Sequence, residues 1–331
     1  MKTNSTWLER VRRCVVDAVP VATKTGLWLL FITVPLSFAV LLMKITGVLD
    51  VVAALCRPLF GLVGLPGEAA IVFVTACLLN IYSCIAVTET LGLTGRTVTI
   101  LALMCLISHN LPIESAVQKK AGSQAWRMVA LRLTASFVAA LALNLLLPAD
   151  APHRAVSSPA AALTVSSLGS ELKAWLADIS YLCAKIMVLI TLLMILERVL
   201  NEFGVTKSLS RILKYPLMLL GLPPSTAFLW MVANTLGLAY GAGVLVDHTR
   251  RGLLPKADAD ALNHHIAISH SLLEDTCLFV AIGVSAWWIT IPRIVLAGIV
   301  VWLKRLFDWL WAKRACAAMR GRSDGDLPRT P

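Results

Sequence analysis

Residues 108–114 read S-H-N-L-P-I-E and residues 269–275 read S-H-S-L-L-E-D. Both stretches lie in very apolar surroundings, where an ionisable side chain is costly to bury and marks a functional site by default. They also read as one unit written twice, and the match extends outward. His109 matches His270, Gly122 matches Gly283 and Arg132 matches Arg293, all at an offset of 161 (270 − 109, 283 − 122, 293 − 132). Gly64-Leu65-Pro66 matches Gly221-Leu222-Pro223, Pro58-Leu59 matches Pro216-Leu217, and Asn80 is matched with Asn234. A constant offset shared by Gly, His and Arg points to an internal duplication.

The chain has 331 residues, of which 58% are hydrophobic, and its mean hydropathy is +0.77. A soluble domain is roughly half apolar, so the excess points to a membrane protein. Apolar runs cover residues 26–43, 69–87, 129–147, 186–196, 227–246 and 291–303. Several approach the ~20 residues that cross a bilayer as a helix. Backbone groups in lipid must pair within their own segment, so the expected fold is an all-α integral membrane protein. The first long run starts at Gly26, behind Arg10, Arg12 and Arg13, with no small-residue cleavage site after it. That is unlike a cleaved secretory signal. The net charge of +11 gathers at the chain ends and in certain loops. It reads as topology and anionic-lipid contact rather than nucleic-acid binding.

The domain reading follows the repeat. Residues 1–25 form a cytoplasmic N-terminal segment, 26–148 the first repeat and 149–178 a linker, read as an Ala/Ser/Pro-rich loop and then a surface helix. Residues 179–307 form the second repeat and 308–331 a basic tail. In the tail, Trp309 and Trp311 stand among Lys313, Arg314, Arg320 and Arg322, the pattern of an interfacial helix, and 323–331 read as disordered. Each repeat holds an apolar span, a segment ending in G-L-P, a longer span broken by polar residues, the S-H motif and a final span. The polar breaks are Asn80-Ile81-Tyr82-Ser83-Cys84 and Asn234-Thr235-Leu236-Gly237. The stretch before each S-H motif is odd. Residues 97–107 are about half a spanning length, and residues 256–268 carry Asp258, Asp260, His264 and His265. A re-entrant or protein-buried half-helix is expected there.

Charges set the orientation. The loop after the first span carries Lys44 and Arg57, and its counterpart carries Arg198, Lys207, Arg211 and Lys214. Lys119, Lys120 and Arg127 follow the first S-H motif, while residues 276–288 carry no Lys or Arg. Three spans per repeat in opposite orientation explain this reversal of basic bias. Both termini then face the cytoplasm of a cell with the protein in its inner membrane. Arg250, Arg251 and Lys256 fall on the outer side against the rule, close to Asp247, Asp258 and Asp260.

Inverted repeats with interrupted helices place a binding site near the midplane, where half-helix ends face the substrate. The expected substrate- or ion-binding residues are Asn80, Ser83, Ser108, His109, Asn110, Glu114, Asn234, Ser269, His270, Glu274 and Asp275. A metal would use Cys84, His109 and His270, and Cys77, Cys84 and Cys105 could form a soft-metal path. Ser108 and Asn110 can cap a helix whose first turn holds Pro112 and Glu114. His109 could hold a metal, carry a proton or bind a polar substrate. Each has a plainer reading. Ser, Asn and Glu around a Pro are ordinary capping, and Asn80 and Asn234 could simply tie helices together. Arg132 and Arg293 would snorkel at opposite interfaces, Glu89 would be solvated, and the G-L-P segments would be turns. His264 and His265 with Asp258 and Asp260 could hold a surface metal, in one repeat only. The eight cysteines contain no C-x-x-C pair, and most act as small hydrophobes. There is no P-loop, G-x-S-x-G or H-E-x-x-H, so neither an enzyme activity nor a cofactor is expected. The expected partners are the lipid bilayer and a small solute or ion, with a homo-oligomer left open and no nucleic acid.

The pattern N-x-x-S/G, then S-H-x-L-x-x-E/D, then Gly and a final span resembles the gate, or nucleoside-recognition, domain. That domain occurs in spore maturation proteins A and B, in the membrane part of bacterial ferrous iron transporters, and distantly in concentrative nucleoside transporters. The resemblance covers nearly the whole chain, one domain per repeat, as in a fusion of the two spore maturation proteins. It implies a transport role in the cytoplasmic membrane without fixing a substrate. The GTP-binding domain of the iron transporters has no counterpart in this sequence, which sets GTP-driven iron uptake apart.

Overall fold

Apolar stretches with no water to satisfy their backbone fold as helices, and every regular element among the described residues is helical. The structure, a computed structural model, describes residues 6–148, 165–235, 237, 245–246, 248–249, 251–252 and 254–323. The loop expected at the start of the linker, Leu236 of the second polar break, Asp247, Arg250 and the tail end at 324–331 lie outside them. Helix α1 (Trp7–Ile45) opens with a capping box, in which Thr6 and Glu9 each accept the other's backbone N–H. It is followed by α2 (Val48–Gly61), α3 (Ala69–Leu78), α4 (Ile81–Thr90), α5 (Gly95–Ser108), α6 (Leu111–Lys120) and α7 (Ala125–Leu146). The second half comprises α8 (Val165–Glu202), α9 (Val205–Leu219), a 3₁₀ turn at Pro224–Thr226, α10 (Ala227–Thr235), α11 (Lys256–Ser269), α12 (Leu272–Val280) and α13 (Ala286–Ser323).

Among the described residues, five elements are long and apolar enough to cross a membrane: α1, the α5–α6 pair, α7, α8 and α13. Large apolar side chains such as Phe31, Leu55, Leu145 and Trp287 stand exposed along these and neighbouring helices. Such surface is compatible with lipid and not with water. The protein is therefore an all-α, multi-pass membrane protein.

Three expected boundaries fall inside continuous helices. The N-terminal segment is continuous with the first span in α1, the linker's surface helix is the opening of α8, and the tail helix continues α13. Arg, Lys, Glu and Ala propagate a helix as well as Leu does, so passing from water to lipid changes the solvent and not the backbone. The run at 69–87, in contrast, is cut in two at Leu79 (φ −115°, ψ −110°) and restarts where Asn80 accepts the Ser83 N–H at 2.9 Å. The half-helix expected at 97–107 is α5, whose residues 100–108 are all buried. It continues through a break into α6, and the 26-residue pair has spanning length and hydropathy. The expectation that this stretch falls short of a crossing thus holds for α5 alone.

The first long helix of each half packs antiparallel to the other. Arg10 pairs with Glu202 at 2.8 Å at one end, and Lys44 reaches Glu171 at 3.5 Å at the other. Trp7 stacks near Phe203, and Phe38 near Trp175. The G-L-P turns also correspond: Leu65 N–H bonds Phe60 O at 3.0 Å and Leu222 N–H bonds Leu217 O at 2.9 Å. Gly64 and Gly221 take the left-handed backbone these helix ends require (φ 72° and 81°).

Candidate functional site

Each S-H motif is a helix break. His109 ends α5 in extended backbone (φ −69°, ψ 157°), and His270 ends α11 in the same way (φ −64°, ψ 164°). The next residue, Asn110 or Ser271, turns left-handed and starts the following helix. That residue's N–H then reaches a neighbouring helix: Asn110 bonds Ala76 O at 2.8 Å, and Ser271 bonds Ala233 O at 3.1 Å. In the first half, the break at Leu79 frees the Ala76 carbonyl for this bond.

These bonds set a register of 157 (233 − 76), the same as the G-L-P register (221 − 64). The match of Asn80 with Asn234 has an offset of 154, so it falls out of register. Gly237 occupies the place of Asn80, and Asn234 that of Cys77. Their roles differ accordingly. Asn80 caps α4, whereas Asn234 donates its side-chain N–H to Trp230 O within α10 at 2.9 Å.

Two buried arginines close the breaks. A helix C-terminus leaves carbonyls unpaired, and a guanidinium has five donors to supply. Arg132 of α7 donates to Ile107 O and His109 O, each at 2.7 Å, and its Nη1 lies 2.6 Å from Glu114 Oε2 as an ion pair without aligned hydrogen-bond geometry. Arg293 of α13 donates to Ile268 O at 3.3 Å and to His270 O, and lies 3.8 Å from Asp275 Oδ2. Both are fully buried. Snorkelling is therefore wrong for both: the broken helix ends and the carboxylates hold them inside.

The two halves meet at the imidazoles. His109 Nε2 and His270 Nε2 are 3.2 Å apart, with ring centroids at 4.8 Å. Glu114 lies against both, Oε1 at 3.3 Å from His109 Nε2 and Oε2 at 3.1 Å from His270 Nε2. Asp275 Oδ2 is 3.9 Å from His109 Nε2. Glu274 turns aside to accept the Tyr82 hydroxyl at 2.7 Å, joining α12 to α4. Ser83, buried in α4, faces Thr33 of α1 at 3.3 Å.

Other expected residues hold different posts. Ser108 does not cap a helix; as the last residue of α5, it donates to Arg132 O at 2.9 Å. Asn110 starts α6 by its backbone, without a side-chain cap bond, while Pro112 and Glu114 sit in the first turn as expected. Ser269 lies beside His265, Nδ1 to Oγ at 2.8 Å. His264 and His265 diverge, His264 towards the Asp260 carbonyl and His265 inward to Trp230, so they form no joint metal cluster. Among the described residues the metal-competent group is His109, His270 and Asp275, with donor atoms within 4.8 Å of one another. Cys84 is not in it, nor do Cys77, Cys84 and Cys105 form such a group. Missed at the sequence level were Arg132, Arg293 and Tyr82. The arginines had a signal in their shared 161 offset, and Tyr82 had none beyond its place in the polar break.

A cavity of about 170 Å³ lies elsewhere, lined by Ser37, Lys44, Glu89, Thr90, Glu171 and Asp178 among others, at the end of α4 away from Asn80. Its walls include none of the four histidine and carboxylate residues at the centre.

No family model matches the chain, and no solved structure matches it. A protein of Bacillus subtilis (strain 168) named as the uncharacterized membrane protein YvoD is 31% identical over 277 residues, covering 80% of this chain and 85% of that protein.

Proposed function

We propose that this chain, which belongs to the family of the uncharacterized membrane protein YvoD, is a secondary transporter or permease for a small polar solute or ion. The observation that carries the proposal is the meeting of His109 and His270, Nε2 to Nε2 at 3.2 Å, at two helix breaks from opposite halves of the chain. Broken helices facing a buried polar centre between two repeats are a transporter design. The antiparallel pairing of α1 with α8 supports reading the halves as inverted repeats. The resemblance of the S-H motifs to gate domains points the same way. In this scheme the protein sits in the cytoplasmic membrane with both termini on the cytoplasmic side. Access to the centre requires a helix movement, because His109, Glu114 and Asp275 are at most 6% exposed.

The same burial favours a second reading, a non-transporting scaffold with a packed polar centre. Uptake assays separate the two. Purified chain in proteoliposomes is offered a panel of nucleosides, amino acids and divalent metal ions. Saturable uptake of one class, lost in His109→Ala and His270→Ala variants that still fold, supports the permease. A folded chain that takes up nothing on the panel supports the scaffold.

A further inference from the structure

The hydrogen bonds of the two imidazoles fix their tautomers. His109 Nδ1 lies 3.3 Å from Cys105 O, and His270 Nδ1 lies 2.8 Å from Ile266 O. A carbonyl oxygen can only accept, so each Nδ1 carries a proton. A neutral imidazole has one N–H, so both Nε2 atoms present lone pairs. These lone pairs face each other at 3.2 Å. The atoms around them are acceptors as well: both carboxylate oxygens of Glu114, and Oδ2 of Asp275. Glu114 Oε2 and Asp275 Oδ2 accept no aligned hydrogen bond, although both residues are more than nine-tenths buried. With both imidazoles neutral, these four groups bring acceptors together with no donor among them, and either a proton on one Nε2 or a metal ion between them relieves this.

We propose that His109 Nε2, His270 Nε2 and the Asp275 and Glu114 carboxylates bind one divalent transition-metal ion. Two imidazole nitrogens at ~2.0–2.1 Å from a tetrahedral ion stand about 3.3 Å from each other, against 3.2 Å here. The Glu114 oxygens, at 3.3 and 3.1 Å from the nitrogens, match the same spacing. A rotation of the Asp275 carboxylate completes the set. The surroundings are those of a metal centre: each histidine gives its other N–H to a backbone carbonyl, and each carboxylate is held by an arginine. Imidazole ligands select transition metals over magnesium and calcium, which prefer all-oxygen shells. The proposal names the substrate class for the permease reading and rests on it.

The test is equilibrium binding of Co²⁺ and Zn²⁺ to the purified full chain in detergent. The expected result is one Co²⁺ per chain with the absorption bands of a tetrahedral nitrogen–oxygen site, and no displacement by Mg²⁺. The bands should vanish in the His109→Gln, His270→Gln double variant, and Asp275→Asn should weaken binding at least about tenfold. The extended X-ray absorption fine structure of the Zn²⁺-loaded wild type should show two imidazole nitrogens at ~2.0 Å. This reading needs no variant, so it decides the matter even if the variants do not fold. No stoichiometric binding by the folded wild type, or a bound ion without two histidines, would overturn the proposal. Binding without uptake would instead count against the permease reading.

Discussion

Asn110 and Ser271 stand 161 residues apart in sequence and hold the same left-handed backbone, φ 51°, ψ 36° and φ 52°, ψ 34°. Neither is glycine, and among the described residues no other non-glycine residue has a positive φ. The left-handed region costs an L-residue about 1–2 kcal/mol. Each cost is met at the same structural point, where the N–H turns outward to the Ala76 or Ala233 carbonyl and His109 or His270 is aimed at the centre.

Glycine at either position should therefore be tolerated. Asn110→Gly and Ser271→Gly are expected to leave thermal unfolding in detergent unchanged or raised. Asn110→Val and Ser271→Val should each be less stable than the parent, because a β-branched side chain fits the left-handed region worst. A valine variant as stable as the parent would contradict the strained turn.

Arg132 and Glu114 should be coupled. Removing one member of a buried ion pair leaves the other charge uncompensated, at about 3–5 kcal/mol. Arg132→Met and Glu114→Gln singly should destabilise by that order, and the double variant by clearly less than their sum. Unfolding of all four proteins gives the coupling free energy directly. Additive losses would show that the 2.6 Å contact contributes nothing.

Tyr82→Phe removes the bond that ties α4 to α12 through Glu274. A hydrogen bond to a charged group is worth about 1.5–3 kcal/mol. That loss is expected in Tyr82→Phe, and adding Glu274→Gln should cost little more. Independent losses in the two variants would refute the link.

Opposite facing of the two halves is testable by labelling. Lys44 ends α1 near Glu171 at the start of α8, while Lys207 follows the end of α8 near Arg10. In a cysteine-free background, a cysteine at position 44 should react with an impermeant maleimide from outside intact cells. One at position 207 should react only after permeabilisation. Labelling of both from one side would contradict the antiparallel pair.

Much of this was legible in the sequence because membrane burial makes polar residues informative. The all-α class followed from apolar runs, and the S-H motifs stood out because His109, Glu114, His270 and Asp275 are costly in such surroundings. The arginines were misread because sequence shows only that Arg132 and Arg293 lie within or beside apolar runs. Whether the head group turns to water or to a broken helix end depends on carbonyls supplied by α5 and α11. The Asn80–Asn234 match failed for a related reason: residue identity suggested one register, and backbone bonds to Ala76 and Ala233 set another. The segment boundaries at 25, 178 and 307 follow changes of composition, and helical hydrogen bonds run through such changes.

The central claim is that the two histidines form one site. It is tested most directly by uptake into proteoliposomes of the solute the parent chain transports, measured for His109→Ala, His270→Ala and the double variant at equal amounts of folded protein. A shared site predicts that each single change removes most of the uptake and that the double change removes no more, because residues acting as a unit are not additive. Single effects that multiply in the double variant, or uptake that survives it, would contradict the account.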